Sequence, residues 1–370
     1  MRRSHIAGVV VGIWFLVGSA SLGSWASAEQ VRVLTHDSFA LPEDLVAEFT
    51  AATGIEVVFL AAGDAGEVVN RAILTKARPV ADLLFGIDDS LLERARGEDI
   101  FESYTSPELA RVPEPLLLGD LVTPVDVGYV VPNVDTTWFA EEGLALPASL
   151  AELADPRYAG LTVVENPASS SPGLAFLLAT VARFGDPSAG IEGTADSSAY
   201  VDWLDFWAAL RDNDVLVTDG WTDAYYTAFT RYGGDRPVVV SYLTSPAAEV
   251  IFAESPVDEA PTANLACAGC AYRQVEAIGI LRNTPNQAAA EKFVDFMLSQ
   301  QVQEAIPLAM FVHPVVTDAA LPPEFVTYAT LAEGVVAPTL ASSLVQANHD
   351  RWLAQWTAVV MQGRRPDAVR

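Results

Sequence analysis

Short runs rich in β-branched and aromatic residues alternate with amphipathic stretches of helical period along most of the chain. That alternation predicts an α/β fold, a mostly parallel sheet covered by helices. Residues 31–35 read as a first strand that runs into the polar loop His36-Asp37-Ser38. A helix over 42–53 follows, with Gly54 as its stop. Residues 55–60 read as a second strand, 67–76 as a helix after a loop of small residues, and 81–85 as a third strand ending in Gly86-Ile87-Asp88-Asp89. Three successive strands thus end in loops that carry Asp, on the carboxyl edge where open α/β sheets bind ligands. An Asp there equally caps the next helix, and that reading is strong for Asp88 and Asp89.

Residues 121–131 (LVTPVDVGYVV) form a long extended run after a Pro-rich segment and predict a crossover into a second lobe. The alternation then resumes: a strand at 161–164, helices at 172–184 and 200–211, a strand at 215–217, a helix at 222–231 and a strand at 238–242. Residues 272–281 predict the return crossover, and helices from Gln287 onward close the chain. Two crossovers imply a discontinuous first lobe, 29–124 with 273–370, whose last helices are able to pack on the other lobe. The second lobe is 125–272. A cleft between lobes is a usual place for a small-molecule site. The polar insertion 186–198 suggests no function.

The first 28 residues have a different pattern. Arg2 and Arg3 precede an almost unbroken apolar run over 6–22, and Ala26-Ser27-Ala28 forms a small-residue cleavage site before Glu29. These are the marks of a secretory signal peptide; an uncleaved N-terminal anchor is the alternative. No Cys follows the run, so a lipoprotein is not expected. Removing the two arginines takes the formal charge from −27 to about −29. At roughly 150 residues per domain the remainder makes two domains. It offers no later run of the roughly 18 apolar residues that span a bilayer. So acidic a chain opposes phosphate backbones, which excludes nucleic acid as a partner. Acidity attracts a cationic ligand, and it serves solubility equally well. A secreted hydrolase or a solute-binding protein remains.

The chemistry-bearing residues narrow this further. There is no GxSxG, HExxH, P-loop or GxGxxG, and beyond the leader the histidines are His36, His313 and His349. No catalytic set, metal site or cofactor is therefore predicted. Cys267-Ala268-Gly269-Cys270 in an exported chain is a local disulfide; a redox dithiol would open a helix after a strand, and zinc would need a second ligand pair. Ser169-Ser170-Ser171-Pro172-Gly173-Leu174 reads as a helix start whose hydroxyls and free N–H groups suit a hydroxyl, carboxylate or phosphate. One capping Ser with two solvated neighbours is the plainer reading. Trp221 and Tyr242 stand at strand-end loops, where an aromatic face meets a planar or cationic ligand for roughly 0.5–2 kcal/mol. Tyr225 and Tyr226 either pack on the inner face of their helix or, as adjacent phenols, suit ferric iron.

Taken together, several segments resemble the periplasmic thiamine-binding proteins, the solute receptors of thiamine ABC importers. They are Thr35-His36-Asp37-Ser38-Phe39, Asp64 with Asn70-Arg71, Ala81-Asp82, Gly86-Ile87-Asp88 and Asp126-Val127-Gly128-Tyr129. They continue as Ser170-Ser171-Pro172-Gly173-Leu174, Gly220-Trp221 with Ala224-Tyr225, Ser241-Tyr242 with Thr244-Ser245-Pro246, and Gln274-Val275-Glu276. The resemblance implies a two-lobed, class II-like periplasmic binding protein fold that closes on thiamine or its phosphates in a cleft between lobes joined by two crossover strands. It places ligand contacts on Asp64 and Ala65, on Ser170 and Ser171, on Trp221, and on Tyr242, Leu243, Thr244 and Ser245. His36 stands where a Tyr is common in the family and Phe311 where a Trp is common; both keep a planar ring. Asp64 would face the thiazolium cation or the amino group, and the serines the tail. The resemblance further implies a monomer outside the cytoplasm that delivers thiamine to a membrane permease, with no membrane insertion of its own. A receptor of the same fold for ferric iron or a polyamine is one rival. A secreted enzyme is another, disfavoured because the related thiaminases need a nucleophilic Cys and both cysteines here sit in the CxxC.

Overall fold

The computed structural model describes residues 29–194, 200–331 and 334–370. The signal-peptide segment 1–28 and the end of the polar insertion lie outside the described residues. The strands are β1 (Glu29–Thr35), β2 (Ile55–Ala61), β3 (Leu83–Asp88), β4 (Phe101–Glu102), β5 (Thr123–Asp135) and β6 (Thr162–Glu165). They continue with β7 (Leu216–Thr218), β8 (Val238–Tyr242), β9 (Thr262–Asn264), β10 (Tyr272–Leu281) and β11 (His313–Pro314). Along the main path their order is β2-β1-β3-β10-β5-β8-β6-β7. β2, β1 and β3 are parallel, as are β8, β6 and β7. Between these groups β10 and β5 lie side by side and antiparallel, each also antiparallel to its outer neighbour. The two predicted crossovers are thus a single central ladder.

In the first group, pleating sends alternate residues of β1 to opposite faces. Val31 and Val33 pack with Phe49, Phe293, Met297 and Ile306. Leu34 meets Val68, Val69 and Ala72 of the helix Ala65–Leu74 on the other side. The helix Glu43–Thr53 ends at Gly54, whose φ of 74° is the left-handed cap that a residue without Cβ adopts freely. Ala65–Leu74 begins two residues before its predicted start, because Asp64 and Glu67 form a capping box. The Asp64 N–H donates to Glu67 Oε2 (3.1 Å) and the Ala65 N–H to Asp64 Oδ1 (2.8 Å).

Behind the second group runs the helix Ser171–Phe184, buried along its whole length. Such a helix must be covered on all sides. Phe184 stacks on Phe206 (4.5 Å), the Trp207 indole donates to Thr180 Oγ1 (2.9 Å), and Trp356 meets Trp207 edge-on. Trp356 comes from the helix Ser342–Trp356, which returns to this lobe although the chain has already crossed back through β10. Asp186 ties that helix down, accepting from Arg351 Nη2 (2.6 Å) and Trp352 Nε1 (2.7 Å). The insertion that suggested no function therefore begins with a structural anchor.

One predicted element is corrected. No continuous helix spans 222–231. A single turn Trp221–Asp223 leads into a widened turn Ala224–Ala228, in which the Phe229 N–H reaches five residues back to the Ala224 carbonyl (3.0 Å). Phe229 itself is extended and packs against Val163 and Val239. Burying that ring outweighs the helical period of the segment. The loss of Asp186 tests how firmly the last helix is held. Asp186→Ala leaves a buried indole N–H without an acceptor and should cost roughly 1–3 kcal/mol, read as a lower thermal midpoint, with Asp186→Asn recovering part of it.

Candidate functional site

A cavity of about 350 Å³ lies where the two strand groups face each other. The loops after β1, β2, β6, β7 and β8 contribute to it, whereas the Asp-bearing end of β3 does not. His36 follows β1, Asp64 starts the helix Ala65–Leu74, Ser171 starts the buried helix, Trp221 follows β7, Tyr242 ends β8 and Ser245 starts the helix after it. Phe311 closes the wall from the segment before β11. Seven of the expected contact residues thus line one space. The other four do not reach it. Ala65 and Ser170 are buried behind the wall, Leu243 is held by its N–H to the Tyr129 carbonyl (2.8 Å), and the Thr244 hydroxyl donates to the carbonyl of Phe311. That bond holds Phe311 at φ 58°, a left-handed conformation uncommon for an aromatic residue.

Local structure explains where the rings sit. Gly86 has φ 101°, and a Cβ there would come within 2.6 Å of the His36 ring, so only glycine both makes this turn and leaves room for the imidazole. Gly128 on β5 likewise lies under Tyr242, where a Cβ would meet the ring at 2.9 Å. Trp221 stacks on Tyr225 (5.1 Å, 20° between planes), and its indole N–H donates to Ser241 Oγ (2.8 Å). Ser241 Oγ in turn bonds Ser245 Oγ (2.9 Å). Tyr226 meets Trp221 edge-on.

Asp64 does more than face the cavity. It caps its own helix, and the Trp221 backbone N–H on the opposite side lends its charged form electrostatic support. The Gly66 N–H also bonds the Ser169 carbonyl (3.0 Å). The rims of the two lobes are therefore in contact, as in a closed cleft.

Carboxylates missed as contacts complete the lining. Glu276, present in the Gln274-Val275-Glu276 segment, has its Oε1 3.4 Å from His36 Nε2. Glu249 gathers the Tyr225 and Tyr232 hydroxyls on Oε1 (2.8 and 2.9 Å) and Arg231 Nε on Oε2 (3.0 Å). In sequence Glu249 sits in an unremarkable Ala-Ala-Glu-Val run, and no local signal marks it. Asp88, the last residue of β3, accepts from the Ser90 and Leu91 N–H groups and so closes a turn; the next helix, Leu92–Gly97, starts without a side-chain cap, which corrects the reading of Asp88 as its cap. Cys267 and Cys270 are paired as a disulfide.

Burial sets the electrostatics. It drives Asp64, Asp126 and Glu165 upward from the usual carboxylate range, and neither oxygen of Glu165 has a hydrogen-bond partner. Burial would lower His36, but Glu276, with Asp64 and Asp37, outweighs it and raises the imidazole. Burial and then the charge of Asp88 push Asp89 up to about 7. Burial, followed by Glu276, Asp64 and Asp126, holds the Tyr242 hydroxyl protonated.

The profile of the bacterial extracellular solute-binding protein family matches residues 78–332. The chain belongs to that family. This solute-binding protein is 30% identical to the thiamine-binding periplasmic protein of Salmonella typhimurium, over 89% of this chain and 93% of that one. It is 28% identical to the Escherichia coli protein of the same name, again over 89% and 93%. A solved structure of a periplasmic thiamin binding protein superposes with a TM-score of 0.73 at 26% identity, covering 90% of this chain and 96% of the other. The expected two-lobed, class II-like fold is thereby borne out. Among the described residues no helix is long and apolar enough to cross a membrane.

The raised carboxyls give the ligand-free solute-binding protein a definite pH dependence. A carboxyl whose pKa rises on folding contributes stability that is complete below its unfolded value and lost as pH climbs through its folded value. For Asp89 the window runs from the ordinary 3.8 to about 7. The thermal midpoint should fall as pH rises across it, and Asp89→Asn, which mimics the protonated group, should flatten the fall. A midpoint that rises over the same interval would contradict this assignment.

Proposed function

We propose that this chain is an extracytoplasmic receptor that captures thiamine, with or without its phosphates, and hands it to the permease of an ABC importer. In this reading it acts as a monomer and not as an enzyme. The lobes are 29–124 with 273–370 and 125–272, and the segment from Ser342 rides on the second. The observation that carries the reading is the cavity itself: aromatic faces of Trp221 and Tyr242 set beside the carboxylates of Asp64 and Glu276. A permanently cationic thiazolium is attracted both to ring faces and to carboxylates. The hydroxyls of Ser171 and Ser245 suit the hydroxyethyl or phosphate tail. The names of the relatives aligned over nine-tenths of the chain point the same way.

The geometry speaks against ferric iron. Iron would recruit the adjacent Tyr225 and Tyr226 as phenolates, whereas the Tyr225 hydroxyl donates to Glu249, and burial together with that carboxylate favours the protonated form of both phenols. Thiamine cleavage would require a free thiol, and Cys267 and Cys270 are paired.

Calorimetric titration with thiamine, thiamine monophosphate, spermidine and ferric citrate separates these ligands. Heat with a thiamine form is expected, and none with either would overturn the proposal. Removing a stacked ring should also weaken binding. Trp221→Ala is expected to lower thiamine affinity at least tenfold, about 1.4 kcal/mol, and an unchanged affinity would take Trp221 out of the site.

A further inference from the structure

At the floor of the cavity two carboxyls face each other. Glu276 lines the space, and Asp126 stands directly opposite it across the β10–β5 ladder. Residues paired in this way across antiparallel strands hold their Cβ atoms about 4.5–5.5 Å apart, so their side chains meet. Asp126 is 1% exposed, and its Oδ2 has no hydrogen-bond partner. Beside the pair both neighbouring ladders are bulged: β5 carries the extra residue Val125 and β3 the extra residue Gly86, while β10 runs on without one. Bulges of this kind are over-represented next to active sites.

The one base beside this pair is His36, whose charged form Glu276 favours. His36 approaches Glu276 from the loop after β1 at 3.4 Å. The other titratable groups that act on the pair are Asp88 on β3, Tyr242 on β8 and, through His36, Asp64. No Lys or Arg is among the residues lining the cavity. Two like charges in contact at a buried site do not both ionise, so the empty pair retains a proton.

We propose that the Glu276–Asp126 pair is the counter-ion site for the positive charge of the ligand, and that entry of a cation expels the proton the pair holds. This rests on the receptor reading above and names the groups that meet the thiazolium or its aminopyrimidine partner. The balance is simple. Empty, the pair carries one proton and one negative charge. With a fixed cation against Glu276 both carboxylates are ionised, and the proton passes to the solvent buffer with no covalent bond made or broken. Burial, and then the charge of Glu276, already hold the Asp126 carboxyl well above the ordinary range, which supplies the proton at neutral pH.

Binding that releases a proton tightens as pH rises, by up to about tenfold per pH unit, until the empty pair itself ionises. The test is calorimetric titration of the full chain with thiamine at one pH in two buffers of different ionisation enthalpy. The wild-type protein should release close to one proton, Asp126→Asn none, and Glu276→Gln should bind at least tenfold more weakly. The wild-type comparison needs no variant and stands even where a substitution fails to fold. Thiamine heat that is the same in both buffers would overturn this inference and leave the receptor reading intact. Proton release that persists in Asp126→Asn would assign the proton to His36 and also overturn it. No heat with thiamine in either buffer would overturn both.

Discussion

The β5–β10 ladder is the constraint on which the rest of this molecule depends. A parallel group of strands can be extended only through crossovers, and here two such groups meet through one antiparallel pair. The sheet joins one lobe to the other through these two strands alone. Both are buried on both faces along most of their length, so a polar side chain placed midway finds almost no water. Asp126, Gln274 and Glu276 occupy that stretch. Desolvation there costs several kcal/mol for an unpaired ion, and of the three only Glu276 reaches the cavity wall.

From this ladder outward the cavity is assembled by loops whose shape depends on small residues and caps. Gly86 makes room for His36 and Gly128 for Tyr242. Asp64 is the shared joint: its carboxylate organises the first turn of its helix, and within that turn the Gly66 N–H bonds the Ser169 carbonyl across the cleft. Rim contact and helix start are therefore one hydrogen-bond system. The aromatic wall is similarly cross-braced, from Tyr225 through Trp221 to Ser241 and Ser245.

Much of the frame was legible in the chain. β-Branched runs such as Val31 to Leu34 mark buried parallel strands, and the length of the run ending near Val131 announced a strand too long for one lobe. Asp88 was read as a helix cap, but the helix starts four residues later, and the same local bonding of one to three residues closes a turn instead. What escaped depends on partners far away in sequence. Glu249 owes its place to Tyr225, Tyr232 and Arg231 arriving from a different turn. Asp186 owes its own to an arginine and a tryptophan about 165 residues later. The helix expected at 222–231 was misread because its period is helical, whereas the burial of Phe229 that breaks it is decided by strands β6 and β8. Of the seven expected contacts that reach the cavity, six come from the carboxyl ends of strands and Phe311 from the segment before β11; the four that do not were expected from the family resemblance and stand next to residues that do.

The last helix carries a mechanical implication. Ser342–Trp356 is riveted to the second lobe through Asp186, Thr180's neighbour Trp207 and the Arg370–Asp202 pair (2.7 Å), yet Gln346 also touches the Glu93 carbonyl in the first (3.4 Å). The chain thus runs back over its own pivot after both crossover strands are complete. Because the helix also packs on Leu92–Gly97, rotation of the lobes would work against that packing and the long amide contact while sparing the buried rivets, so the carboxyl-terminal segment is a splint fixed to one jaw and leaning on the other.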